Sequence, residues 1–486
     1  MFLFSIMNGT LPESLRVQKM SRNHDAVLYT TKTQAASFTQ QMVKLPIPQQ
    51  GIMSSTGAYL EFAFLPAFSN AVLPQSVGCA GLVDRIRLVS QSGRIIADQR
   101  FFNYKQVVEN SFRTAEYAHF IGRYIDGSSF SWCYNDENSP YAPDLRICGD
   151  AKTPLGTPVF NGQVWSSPDV LKLSKDPTLA QTWRISLQSA FPMLYSHQLP
   201  TSIMEQLYVE VYWTQDTTEG VCVKAQLDAS GNPLAGGGAY VKGGIIQQES
   251  VFLMSDHIVY RDSSVQGRLE ELQAEEGGLS FEFEDYITSV QTSSNFTPTQ
   301  NYEFNRELGA SNYKLCDIKN IQIDASSNLI DKPGFGRYYS NTDKSSTKSL
   351  NYVINDVNLF VRNTTSSPES YSRLNEIYPH VDAAIPKPLY MQDINNASAP
   401  LSSDQTWNGQ KNSDFAGLYS PQAVYLKDMQ GRSYQNGNTP VRVFYRGISN
   451  ADKGDIENPF TNYYFVTYKR MFGVGKAGQI MINDYS

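Results

Sequence analysis

Histidine is scarce in this chain of 486 residues: His24, His119, His197, His257 and His380 make up the set. No two stand close enough to pair as metal ligands on one element, and neither an H-E-x-x-H nor a G-x-S-x-G string occurs. The cysteines Cys79, Cys133, Cys148, Cys222 and Cys316 are odd in number and include no C-x-x-C pair. They read as buried free thiols rather than as a zinc or redox site. Charge is thin, at 18%, with 40 Lys and Arg against 47 Asp and Glu. A net charge of −7 gives no general attraction to phosphate, so coating of nucleic acid by the whole chain is not expected and a local basic patch stays open; no sequence-specific nucleic-acid partner is expected. Long apolar runs are missing as well. The opening Met1 to Met7 is apolar but short and lacks a basic flank, and nothing later reaches a membrane-spanning length. Neither export nor membrane insertion is expected.

What is abundant is aromatic. With 29 Tyr and 25 Phe the aromatic share is 12%, and Val, Ile, Thr and Ser outweigh long Ala, Glu, Lys and Leu runs. That mixture favours strands. Hydrophobic residues total 41%, enough for a sizeable core, and the length suits two large all-β domains. Period-2 alternation is plain at 59–65, where Leu60, Phe62 and Phe64 oppose Glu61. It recurs at 207–213, with Leu207, Val209, Val211 and Trp213 on one face and Glu210 on the other. The stretch Leu82 to Val89, a Ser-Gly turn and Arg94 to Ile96 predict a hairpin. Further strands are expected at 183–187, 251–261, 279–284, 318–323, 353–361, 441–446 and 463–470.

Helical stripes are few. One starts at Tyr104 and carries Val107, Val108, Phe112 and Ala115. A second, capped by Ser264, turns Val265, Leu269 and Leu272 inward and ends at Gly277-Gly278. A third has Ser367 as its cap and Pro368 at its first position, and stops at Pro379. The second falls near mid-chain. The expected division is an N-terminal arm at 1–50, a first sandwich at 51–262, a linker helix at 263–278, and a second sandwich at 279–486 with a C-terminal tail. Polar tracts at 121–180, 324–350 and 380–440 read as long loops suited to contact with neighbours.

Candidate chemistry is sparse. Gly473-Val-Gly475-Lys-Ala-Gly478 has the letters of a dinucleotide fingerprint, but eight residues follow it, too few for the second strand of the unit, so a flexible C-terminal turn is expected. Ala235-Gly-Gly-Gly-Ala239 lacks the G-K-[ST] end of a phosphate loop. Glu282 and Glu284 share one strand face, an arrangement open to glycosidic hydrolysis, yet alternation with Phe281 and Phe283 reads as a solvated face over a buried one. His257, inside a strand, reads as structural. The N-x-[ST] triplets at Asn8, Asn295, Asn363 and Asn396 are expected by chance in so polar a chain. Tyr-rich stretches at Gly336 to Tyr339 and Asn462 to Tyr464 suit either an interface or a core edge.

Three blocks in order resemble the double jelly-roll major capsid proteins of double-stranded DNA viruses, especially those of virophages, polinton-like viruses and adintoviruses. Gly81 to Gly93, running into Ile96 and Phe102-Asn-Tyr104, is similar to the family's strand, turn and strand leading to a short helix. Arg184 to Pro200 followed by Leu207 to Trp213 resembles the closing strands of its first jelly roll, and Asn351 to Arg362 with the helix at Pro368 to Tyr378 resembles the late second one. The resemblance implies an all-β chain of two tandem antiparallel eight-stranded jelly rolls with short helices in connections. It implies a homotrimeric capsomer in a virion shell, with neighbouring capsomers, penton and minor capsid proteins as partners. No catalytic, cofactor or metal residue is then expected, and no enzymatic turnover. A carbohydrate- or receptor-binding sandwich and a sandwich glycoside hydrolase remain the alternatives, since fold alone does not fix function.

Overall fold

The computed structural model describes residues 26–66, 71–72, 78–111, 125–127, 172–173, 176–180, 182–214, 223–225, 240–241, 244–260, 263–274, 279–292, 301–307, 314–324, 349–354, 357–358, 422–425, 440–446 and 460–483. The first half supplies β1 (Ala26–Gln34), β2 (Ser37–Phe38), β3 (Met42–Ile47), β4 (Ile52–Pro66), β5 (Ala71–Val72), β6 (Val83–Ser90) and β7 (Ile95–Arg100). It continues with β8 (Lys172–Leu173), β9 (Thr182–Ser186), β10 (Leu207–Trp213), β11 (Val223–Ala225), β12 (Tyr240–Val241), β13 (Gly244–Ile246) and β14 (Phe252–Tyr260). The second half supplies β15 (Leu279–Thr292), β16 (Asn301–Glu307), β17 (Lys314–Asp324), β18 (Ser349–Ile354), β19 (Val357–Asn358), β20 (Gln422–Tyr425), β21 (Pro440–Arg446), β22 (Phe460–Val474) and β23 (Ile480–Asn483). Helices α1 (Phe102–Ser111), α2 (Met193–Ser196) and α3 (Ser263–Ala274) lie in connections.

Every described strand pair is antiparallel. In the first half one sheet runs β1-β14-β4-β13 with β9 also on β4, a second runs β2-β3-β10-β6-β7, and a small one runs β12-β11-β5-β8. The first two sheets face each other. Phe62 of β4 meets Trp213 of β10 edge to face at 4.9 Å, and the Thr33 hydroxyl of β1 donates to the Pro46 carbonyl of β3. Val43, Leu45, Ile86, Leu88, Val209 and Val211 project inward against Leu60, Trp183, Ile185 and Leu253, all buried. Each such side chain stabilises the sandwich by about 1.5–3 kcal/mol relative to exposure. The second half repeats the plan, with β15-β22-β17-β20 plus β23 in one sheet and β16-β21-β18-β19 in another. α3 joins the halves, with Val265, Leu269 and Leu272 buried as their spacing predicts.

The strand at 207–213 is as expected: its burial alternates throughout, and Glu210 points away to Lys44 at 3.6 Å and Arg87 at 3.5 Å. The hairpin forms as β6 and β7. His257 is structural and fully buried; Nδ1 donates to the Gln50 carbonyl and Nε2 accepts from the Ser255 hydroxyl, both at 2.9 Å. Burial pushes its pKa down, so the neutral ring is favoured. Cys79 and Cys316 are buried thiols in no disulfide, as expected; burial raises both, Cys316 to about 12. The other cysteines lie outside the described residues.

Two expectations need correction. Residues 26–47 are not an arm: β1 pairs with β14 along its whole length, and β3 pairs with β10, which places Val43, Leu45 and Ile47 in the core. Their apolar positions need the facing sheet, so the segment is held by burial. The turn at Gly473 to Gly478 is not free either. Gly478 adopts φ +77, its carbonyl accepts from the Glu205 N–H at 3.0 Å, and a Cβ there would stand 2.8 Å from the Ile203 oxygen. The strand expected at 463–470 forms within β22, and Tyr463 and Tyr464 are buried in it, which fits the core-edge reading. The helix expected at 367–379 and most of the long polar tracts fall outside the described residues. No described helix is long and apolar enough to cross a membrane.

Candidate functional site

The chemistry of this chain is concentrated where the two sandwiches meet. β7 ends one sheet of the first and β15 ends a sheet of the second, and the two edges lie together. Asp285 of β15 is buried there. Its Oδ1 accepts from Gln99 Nε2 of β7 at 2.6 Å and from the Tyr286 N–H at 2.8 Å, while Oδ2 accepts from an Arg470 nitrogen of β22 at 2.9 Å. Arg470 also reaches the Ile96 carbonyl at 3.3 Å, so one guanidinium touches both sandwiches. Desolvation raises the Asp285 pKa in spite of Arg470, which lowers it.

A second cluster lies along α1. Glu109 Oε1 receives Lys105 of the same helix at 3.1 Å and Lys319 of β17 at 2.9 Å. Lys105 also donates to the Ser189 carbonyl at 2.7 Å and sits over the Tyr286 ring at 4.4 Å. Burial alone would raise the Glu109 carboxyl, but the two ammonium groups outweigh it and hold the carboxyl far below the usual 4.5. For Lys105 burial wins and lowers the amine. Beside this cluster Tyr104 and Tyr463 stack at 4.2 Å, and Phe101 meets Tyr463 at 5.2 Å. Phe101 carries φ +54, a strained conformation for a bulky residue, costing about 1–3 kcal/mol, which the surrounding contacts hold in place.

The seam closes at its far end through Glu205. Its carboxylate accepts from the Ser92 N–H at 2.9 Å and the Ile480 N–H at 3.1 Å, and Arg94 donates to the Ile480 carbonyl. Gln273 of α3 donates to the carbonyls of Ile203 at 2.9 Å and Gly475 at 3.0 Å. His197 donates from Nε2 to the Glu282 carbonyl, with its ring 5.6 Å from Phe281. Sequence reasoning singled out His197 only as one of five histidines and did not find Asp285, Glu109, Arg470 or Glu205. Glu109 and Glu205 each gave one signal, an ionisable residue beside apolar ones, whereas Asp285 and Arg470 stand next to Glu284 and Lys469 and gave none.

Glu282 and Glu284 do share a face, as alternation predicts. Glu282 is paired with Lys469 at 2.6 Å, and Glu284 is exposed. Partial desolvation, and then the nearby Asp317, raise the Glu284 carboxyl. Among the described residues no three His, Cys, Asp or Glu side chains gather into a group that could hold a metal ion. What the buried polar groups do is lock two β sandwiches into one block.

That architecture has counterparts among solved structures. The chain matches a chain of the Sputnik virophage structure with a TM-score of 0.54 at 11% identity, covering 94% of this chain and 88% of that one. It matches the mavirus major capsid protein with a TM-score of 0.50 at 10% identity, covering 94% and 90%. The fold is the double jelly roll. No protein-family model matches the chain, and no curated protein matches it in sequence. The double jelly roll is therefore shared without recognisable sequence, as expected where alternation and burial, rather than particular side chains, specify the strands. Two of the blocks that carry the resemblance lie in its first roll, one in β6, β7 and α1 and the other from β9 through α2 to β10. The third lies in β18 and β19 and then passes outside the described residues.

Proposed function

We propose that this chain is a major capsid protein whose homotrimers form pseudo-hexagonal capsomers tiling an icosahedral virion shell. The observation that supports it most is the end-to-end match, in which both rolls and their connection are covered together rather than one sandwich alone. A tile must transmit force between its halves without hinging. The buried Gln99–Asp285–Arg470 and Lys105–Glu109–Lys319 groups suit that task. Its partners on this reading are copies of itself, neighbouring capsomers, and the penton and minor capsid proteins at special positions, in a particle assembled inside a host cell. The chain needs no cofactor and performs no turnover.

Sedimentation of the purified chain at micromolar concentration, joined to electron microscopy of the particle, tests the proposal. A species of three chains that assembles into shells is expected. A persistent monomer that hydrolyses a polysaccharide, with activity lost in Glu282→Gln or Glu284→Gln, replaces it with the hydrolase reading.

A further inference from the structure

The outward face of β3, β10, β6 and β7 is built in three rows that cross the four strands. The first row is Pro46, Tyr208, Val89 and Ile95, apolar except for the tyrosine hydroxyl, and Ile95 is exposed. The second is Lys44, Glu210, Arg87 and Asp98, in which the sign of the charge alternates from strand to strand. The third is Met42, Tyr212, Arg85 and Arg100, with Arg100 largely exposed at its end. Contacts along the middle row are long for ion pairs: Glu210 stands 3.6 Å from Lys44 and 3.5 Å from Arg87. Lys44 and Asp98, at its two ends, keep part of their side chains in solvent.

This pattern is complementary to itself. Turning a second copy about a two-fold axis that runs along the strands, between β10 and β6, reverses the order of every row. Lys44 then faces the second copy's Asp98 and Glu210 faces its Arg87, and the two-fold repeats both contacts. In the first row Tyr208 faces Val89 and Pro46 faces Ile95, which covers an exposed apolar side chain. In the third Tyr212 faces Arg85, a cation over a ring like the one these two residues already form within the chain at 5.5 Å. An axis across the strands instead sets each charge over its own copy, so the alternation selects one orientation and rejects the other.

We propose that this face is a two-fold contact between copies of the chain, first roll against first roll, with the sheets aligned as in a sandwich. Placing it between neighbouring capsomers rests on the capsid reading; the pairing of the rows does not. Four strands and three outward residues on each span about 20 Å by 20 Å, or about 800 Å² over both copies, which is small for a stable pair. The contact is therefore weak singly, and a shell repeats it. Being isologous it closes at two copies, so it links one threefold tile to the next without lengthening the tile itself.

Within one chain Lys44 and Asp98 are three strands apart, about 14 Å, too far for a direct bond. A carbodiimide, which joins an amine to a carboxylate without a spacer, is applied to full-length chain mixed from isotope-labelled and unlabelled halves. A Lys44–Asp98 amide joining a labelled to an unlabelled peptide is expected, and Lys44 joined only to Glu210 of its own chain overturns the contact. Sedimentation over a concentration series then compares wild type with Met42→Lys and Met42→Glu, which set opposite charges against the second copy's Arg100, with circular dichroism as a check of folding. Each change counts twice per contact, so Met42→Lys should shift association between trimers to roughly tenfold higher concentration and Met42→Glu to lower. Ile95→Arg should weaken it as Met42→Lys does. Shifts of the two Met42 variants in the same direction, or none, overturn the contact. A wild-type trimer that forms no larger species overturns it and leaves the capsid reading standing. A wild-type monomer that pairs through Lys44 and Asp98 keeps the contact and overturns the capsid reading, and one that stays single overturns both.

Discussion

At the scale of single residues, the buried ionic groups divide by what happens when one partner is removed. Arg470→Met would leave Asp285 buried with Gln99 and a backbone N–H as its remaining donors. Loss of about 3–5 kcal/mol is expected, because an uncompensated buried charge costs more than the intact pair contributes. Adding Asp285→Asn should recover much of it, and denaturant titration of both variants measures the difference. Gly478 poses a backbone problem instead. Gly478→Ala must place a Cβ 2.8 Å from a carbonyl oxygen at φ +77, and neither the chain of Ile203 nor that of Glu205 can retreat without breaking the Glu205 hydrogen bond. A loss of about 1–3 kcal/mol is expected, seen as a lower melting temperature.

At the scale of elements, strands with one wet and one buried face were legible and others were not. β10 alternates cleanly because each inward residue is apolar and each outward one is polar or a tyrosine. β15 was recognised at 279–284 but extends to Thr292, since past Glu284 the alternation stops: Asp285 and Tyr286 are adjacent and both buried. β3 was missed although Val43, Leu45 and Ile47 alternate, because Pro46 argues against a strand interior. Its neighbour β2 resolves the conflict: it pairs only with Val43 and Lys44, so no strand on that side needs the N–H that Pro46 lacks. β1 is rich in Thr and has little apolar contrast; its place is set by pairing with β14. A chain beginning at residue 51 therefore loses three strands and the fully buried Val43, Leu45 and Ile47, and exposes the inner edge of β10. That truncation should yield insoluble protein, with soluble yield and circular dichroism as the measures; folding with native spectra would contradict the assignment of this segment to the core.

For the whole molecule, the seam was the part the sequence could not announce. Gln99 and Asp285 stand 186 positions apart, and Glu109 and Lys319 stand 210 apart. Periodicity reports the faces of one element and is silent about which elements touch. Once the rolls are placed, pH becomes a probe of how they are held. The Glu109 carboxyl is depressed by Lys319 and Lys105 against the opposing effect of burial, so its contribution is fully present above its ordinary value of 4.5 and is lost as pH falls. Glu205 has the same sign: burial raises it, but the N–H groups of Ser92 and Ile480 prevail and lower it. Asp285 has the opposite sign; its raised pKa gives a contribution present in acid and lost as pH rises, so it softens the acid limb without reversing it. Stability should therefore fall as the pH drops below about 4.5, with both rolls melting in one transition because the seam joins them. Glu109→Gln separates this from general acid unfolding. The variant should melt several degrees below wild type at pH 7, where it leaves Lys105 and Lys319 facing a neutral amide, and the gap should close as the wild-type carboxylate is itself protonated. Melting temperatures of both proteins from pH 7 to pH 2 measure it, and a gap that stays constant would mean that Glu109 contributes through packing rather than through its charge.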